Sequence, residues 1–262
     1  TSAMVVSVLK QLGIPVREKV GGFGVVGVIK GGSPGPTVAI RADMDALALQ
    51  DRKKVPYASK VPGVAHGCGH DVHTAVLLGT AMVLSGIKDD IPGQVKLVFQ
   101  PAEETASGAS RMISEGVLRE PDVDSILALH SYPYLRAGEV GIKQGVTMAA
   151  CDSFDIVIHG KGGHAALPHL TIDPIFIGSQ IISALQGIAS RNADPLESVV
   201  VSVTQFNAGE VHNVIPQSAK LTGTVRSLKR ELRELAMTNL RRTAEGVAAA
   251  LGGEATVSDE QV

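Results

Sequence analysis

The sequence predicts an α/β protein in two parts: a mostly parallel sheet with helices on both faces, followed by a smaller βαββαβ unit of ferredoxin type. Two observations carry this. Runs such as VKLVF and SILAL are apolar throughout rather than alternating, as expected of strands covered on both faces. From about residue 150 the order of elements becomes β-α-β-β-α-β, the ferredoxin-like order. In the first part, strands are expected at 23–29, 37–42, 95–100 and 125–130, and helices at 3–12, 72–84 and 107–115. In the second, a strand at 153–159 precedes a helix over 174–190, with Asp173 as N-cap and Pro174 in the first turn. Strands at 198–204 and 219–225 follow. A helix over 230–251 then stops at Gly252-Gly253, and a last strand begins near 255. The boundary is placed between 148 and 149, where the character of the chain changes.

Composition excludes several classes. The 24 basic and 26 acidic residues leave a net charge of −2, without the basic excess of a nucleic-acid binder. No apolar run is long enough for a membrane span, and no signal peptide opens the chain, so a cytoplasmic location is expected. Cys68 and Cys151 are too few for a disulfide framework. Aromatic residues make up 3 % and Trp is absent, so the core must be aliphatic.

Ligands of open α/β sheets sit outside the carboxyl ends of the strands. Here TVAIRA runs into Asp43-Met44-Asp45, VKLVFQ into Pro101-Ala102-Glu103-Glu104, and SILAL into His130. The segment from His66 to His73 (HGCGHDVH) stands directly before an apolar helix. In an extended chain Cys68 and His70, at i and i+2, face one side and could reach one ion, with Gly67 and Gly69 letting the backbone bend around it. Side chains of the neighbours Glu103 and Glu104 should diverge, one ligating metal while the other reaches a water as general base. Each group alone has a plainer reading. His130 could be a hydrogen-bonded structural residue, the Glu pair a solvated loop, and Cys68 a small buried hydrophobe or a nucleophile with a His partner. His66 and His73 are open between supporting the site and lying at the surface. The coincidence of four segments at one sheet edge favours metal.

The stretches RADMDALALQ, PGVAHGCGHDVHTAVLLG, FQPAEE, LALH, GKGGHAALPH, TIDPI and NVIPQSAKLTGTVR resemble the metal-dependent amidohydrolase branch of the aminoacylase/carboxypeptidase superfamily. That branch includes hippurate hydrolases, N-acyl-amino-acid amidohydrolases, N-acetyl-diaminopimelate deacetylases and plant indole-acetyl-amino-acid hydrolases. The resemblance implies metal ligation by Cys68, His70, Glu104 and His130, with Glu103 as general base and Asp45 as an orienting group. It implies two divalent ions per complete site, Mn or Zn. It makes the second part, 149–262, a lid or dimerisation domain inserted in the catalytic domain and forming a homodimer. From that domain His164 polarises the scissile carbonyl, in some relatives across the dimer, while Asn213 and Arg226 grip the substrate carboxylate. The implied reaction is hydrolysis of N-acyl amino acids or short peptides by a metal-activated water. Two other readings stand beside it: a cysteine hydrolase using Cys68, and a non-catalytic metal-binding or dimerising remnant. The chain departs from the family at Ala48, where Pro is common, and at Thr105-Ala106, where Gly-Gly often stands. It is also expected to be truncated at both ends, lacking a final His ligand far downstream and thus forming an incomplete two-metal site.

Overall fold

The computed structural model describes residues 1–261 as two compact units, Thr1–Val140 and Gly141–Val262. The units meet eight residues before the boundary placed at 148/149. No described helix is long and apolar enough to cross a membrane.

The first unit runs α1 (Ser2–Gln11), β1 (Val16–Val20), β2 (Gly24–Lys30), β3 (Ser33–Asp43), α2 (His70–Gly86), β4 (Pro92–Gln100), α3 (Gly108–Ser114) and β5 (Ser125–Ala128). Its sheet has the order β1-β2-β4-β3-β5. The pairings β3–β4 and β3–β5 are parallel, while β1–β2 and β2–β4 are antiparallel. The sheet is therefore mixed, and its parallel part is the half that ends in the ligand-type residues. Strand β1 was not expected: VREKV has no apolar run, and only Val20 of it is buried. Alternation along β4 sends Val95, Leu97 and Phe99 to one face, where Val5 and Leu9 of α1 and Leu77 and Ala81 of α2 pack against them. Val98 points to the other face with Met112 of α3 and Val117. Lys96 shares that second face and is 1 % exposed. Its ammonium donates to the carbonyls of Val117, Arg119 and Pro121 at 2.9, 2.9 and 2.7 Å. Burial lowers its pKa, with the nearby Arg17 charge adding to the effect.

The second unit contains β6 (Ala150–His159), β7 (Gly163–His164), α4 (Pro174–Gly187), β8 (Val199–Ala208), β9 (Val214–Ile215), β10 (Ser218–Ser227), α5 (Arg230–Ala250) and β11 (Glu254–Gln261). The four long strands form an antiparallel sheet in the order β11-β6-β10-β8, which with α4 and α5 gives the expected ferredoxin-like arrangement. Asp173 caps α4, accepting hydrogen bonds from the Ile175 and Phe176 amides at 2.8 and 3.3 Å. Ile177, Ile181 and Leu185 of α4, and Ala236, Leu240, Ala244 and Ala248 of α5, recur at i, i+4 spacing. They cover Phe154, Ile156, Ile158 and Leu221 of the sheet. Arg233 of α5 forms an ion pair with the buried Asp152 at the start of β6.

Candidate metal centre

Parallel register brings three strand ends together: Asp43 of β3 lies opposite Gln100 of β4, and Arg41 lies opposite Ala128 of β5. The turns that follow carry Asp45, Glu103-Glu104 and His130. The fourth segment arrives on α2, which packs on the same sheet through Leu77 and Ala81. His70 is the first residue of that helix, so Cys68 and His70 do not converge through extended geometry as expected. Gly69 between them is left-handed, with φ +81°, and this turn brings the two side chains together. A Cβ at Gly69 would also stand 2.3 Å from the Ser131 hydroxyl.

Cys68, His70 and His130 form one group whose ligand atoms lie within 4.8 Å of one another, and His70, Glu103 and Glu104 form another. His70, 1 % exposed, links them. Its Nδ1 is 3.1 Å from the Asp45 carbonyl and 3.3 Å from the Asp45 carboxylate. A carbonyl only accepts, so Nδ1 carries a proton, and in the neutral ring Nε2 is the lone pair. Among the described residues that buried Nε2 has no hydrogen-bond partner. It lies 3.8 Å from Glu104 Oε1, 3.9 Å from Glu103 Oε2 and 3.7 Å from Asp43 Oδ2. His130 repeats the arrangement, as its Nδ1 donates to the Ser131 carbonyl at 2.8 Å and its Nε2 faces Cys68 Sγ at 3.5 Å. Two imidazoles are thus fixed by backbone carbonyls in the tautomer that leaves Nε2 free, and these Nε2 atoms lie near a thiol and three carboxylates. Metal-ligating histidines are held in this way, and the donor set suits divalent ions.

The other members fall into place around this group. Asp45 holds two of the expected ligands: its backbone carbonyl accepts from His70 Nδ1, and its Oδ2 accepts from the Glu104 backbone N–H at 3.0 Å. Burial, then the negative charges of Glu104, Glu103 and Asp43, push the Cys68 thiol up from its usual pKa. Burial alone would also raise Asp43, but the His73 hydrogen bond and the Arg41 charge hold it below the usual carboxylate range. The glutamate turn is flanked by two left-handed alanines, Ala102 at φ 53° and Ala106 at φ 52°. Ala106 is the position at which the resembled family often has Gly.

In the second unit the ribbon β7–β9 pairs His164 with Val214, and the Ala165 amide donates to the Asn213 carbonyl at 3.0 Å. His164 and Asn213 therefore lie on the same ribbon, Asn213 one position beyond the residue opposite His164. His164 Nδ1 accepts from the Ala166 amide at 3.1 Å, so the neutral ring carries its proton on Nε2 as a free donor. Arg226 does not join them. It lies opposite Cys151 and Val200, eight residues along β10 from Ser218, which is opposite His159. At about 3.3 Å per residue, that places it ~26 Å along the strand from the His164 end. His73, left open by the sequence, is buried and hydrogen-bonded to Asp43. Its i, i+3 spacing from His70 at a helix start was the available signal.

Comparison with known proteins identifies the family. The profile of peptidase family M20/M25/M40 matches residues 39–255. The chain belongs to this family. An N-acetylcysteine deacetylase of Bacillus subtilis is 48 % identical over 232 residues, 88 % of this chain and 60 % of that protein. An N-acyl-L-amino acid amidohydrolase of Geobacillus stearothermophilus is 49 % identical over 223 residues, 85 % of this chain and 60 % of that protein. Among solved M20-family structures, the YXEP protein of Bacillus subtilis, described as a dinuclear metal-binding peptidase, superposes with a TM-score of 0.82. It is 40 % identical, over 99 % of this chain and 67 % of that one. The chain spans about 60 % of the length of the two curated M20 relatives.

Proposed function

We propose that this chain carries the metal-binding part of an amidohydrolase that cleaves the amide bond of N-acyl amino acids or short peptides bearing a free carboxylate. The observation that carries the reading is the pair of imidazoles, His70 and His130, whose Nε2 lone pairs face Cys68, Glu103 and Glu104. In this reading Cys68, His70, Glu104 and His130 hold divalent ions, Mn or Zn, two in a complete site. The printed activities of the deacetylase and amidohydrolase relatives support the substrate class. A reduced, cytoplasmic setting suits a thiol ligand.

When bound, such ions supply Lewis acidity that acidifies water and polarises a carbonyl. Glu103, the more exposed carboxylate of the pair, takes a proton from the attacking water. It returns that proton to the amide nitrogen as the C–N bond breaks, giving a carboxylic acid and an amine. Asp45 keeps His70 and the Glu104 backbone in place throughout. His164 offers its Nε2–H to the carbonyl oxygen as negative charge builds there. Asn213 and Arg226 hold the substrate carboxylate, and 149–262 acts as the lid or dimerisation domain of a catalytic domain begun by 1–148. The ~26 Å between Arg226 and the His164 end argues that one substrate takes these groups from two copies, hence a homodimer.

Turnover of N-acetyl and N-benzoyl amino acids with added Zn²⁺ or Mn²⁺ tests the function, and its loss on chelation is the expected result. Turnover that survives chelation would instead support Cys68 as nucleophile, a role its raised pKa opposes. Mixing His164→Ala chains with Glu103→Gln chains tests the two-copy arrangement. Recovered activity in mixed dimers is expected, and none despite verified subunit exchange would refute it.

A further inference from the structure

We infer that His73 is a positioning residue that fixes His130 for metal through the peptide of Ser131; the inference rests on the metal-centre reading above. His73 sits one turn along α2 from His70, and its side chain is fully buried. Nε2 receives the Ser131 backbone N–H at 2.7 Å. A backbone amide only donates, so Nε2 is a lone pair and the ring proton lies on Nδ1. That proton is donated to Asp43 Oδ1 at 2.6 Å. Both nitrogens of a neutral ring are therefore engaged, and His73 offers no lone pair to an ion, although it stands in a group with Asp43 and His70 whose donor atoms lie within 4.8 Å of one another.

What His73 does instead follows from its partner. Ser131 is gripped by His73 at its N–H, while its carbonyl accepts the Nδ1–H of His130 at 2.8 Å. The Ser131 hydroxyl, 3.2 Å from His73 Nε2, donates to the Cys68 carbonyl at 3.4 Å. The rings of His73 and His130 meet edge to face, with centroids 4.6 Å apart. A continuous chain thus runs from Asp43 on β3 through His73 and Ser131 to His130. His130 needs such a restraint because it lies two residues beyond the end of β5, in an exposed turn with no ladder to hold it. His73 moreover shares its helical turn with His70. It therefore ties the segment carrying Cys68 and His70 to the segment carrying His130. Without it the His130 ring would have to be ordered by the ion itself, and affinity would fall. Partners that orient metal ligands typically govern 10–100-fold in affinity.

Calorimetric titration of the full chain with Zn²⁺ alone tests this. His73→Leu, which keeps bulk but neither hydrogen bond, is expected to weaken Zn²⁺ binding by ~10–100-fold. His73→Gln, with an amide donor and a carbonyl acceptor, is expected to recover part of that loss. The deciding measurement is the double-mutant cycle. In a His130→Ala background, His73→Leu should cost no further affinity, because the ligand it positions is gone. Full additivity, or wild-type affinity in His73→Leu, would overturn the inference while leaving the metal centre intact. If His73→Leu does not fold, as judged by apo-protein melting, His73→Gln carries the same cycle with the same deciding outcome. Absence of Zn²⁺ binding by the unsubstituted chain would overturn the metal-centre reading and this inference together.

Discussion

Replacing one glutamate of the pair at a time separates ligand from base. Both carboxylates approach His70 Nε2 to within 3.9 Å, so distance alone does not distinguish them. Their surroundings do. Glu104 is 26 % exposed and has its backbone N–H fixed by Asp45. Glu103 is 41 % exposed and so is the more open of the two to solvent. Glu103→Gln should therefore keep metal and lose turnover by ~10²–10⁴-fold, the usual contribution of a general base. At 1.36 kcal/mol per decade this is a barrier increase of about 3–5 kcal/mol. Glu104→Gln should lose affinity for metal by at least ~10-fold, and turnover with it. The assay is amine release from N-acetyl amino acids, read beside metal content in the same samples. Near-wild-type turnover in Glu103→Gln, or undiminished metal affinity in Glu104→Gln, would refute the assignment.

Other substitutions probe the scaffold that holds the site. Lys96→Met should destabilise the first unit by about 3 kcal/mol in chemical denaturation, because three carbonyls lose a charged donor at roughly 1 kcal/mol each. Ala106→Gly should stabilise by ~0.5–1 kcal/mol: relief of a left-handed alanine, about 1–2 kcal/mol, exceeds the added chain entropy of glycine. Asp155 has its pKa lowered by the Thr222 hydroxyl at 2.6 Å and by Lys220 at 2.9 Å. Its ionised form thus favours folding above the ordinary Asp pKa near ~4, and that contribution disappears as pH falls through the lowered value. The stability gap between wild type and Asp155→Asn should accordingly close in acid; a gap unchanged from pH 7 to 2 would refute it.

Local physics made much of this legible. Asp173 before Pro174 marked the start of α4, and it caps the helix as read. Apolar runs located most of β4 and all of β5, and turns at strand ends located Asp45, Glu103, Glu104 and His130. What failed to show depends on long-range geometry. Strand β1 is a partly exposed edge strand whose VREKV pattern carries no apolar run. Cys68 and His70 looked like an extended pair, yet converge because Gly69 turns left-handed to let Ser131 approach. The roles open to His73 could not be separated, since its partners are 30 and 58 residues away. Arg226 looked like a neighbour of His164 and Asn213 in function, but only the register of β10 reveals that it stands at the other end of the sheet.

The central claim is that Cys68, with His70, His130 and Glu104, holds a divalent ion. X-ray absorption of the Zn²⁺-loaded chain carrying Cys151→Ser, so that Cys68 is the only thiol, tests it most directly. One sulfur scatterer near ~2.3 Å with nitrogen and oxygen at ~2.0–2.2 Å is predicted, and the sulfur should disappear when Cys68 is also replaced by Ser. A shell of nitrogen and oxygen alone in the Cys151→Ser chain would contradict the claim.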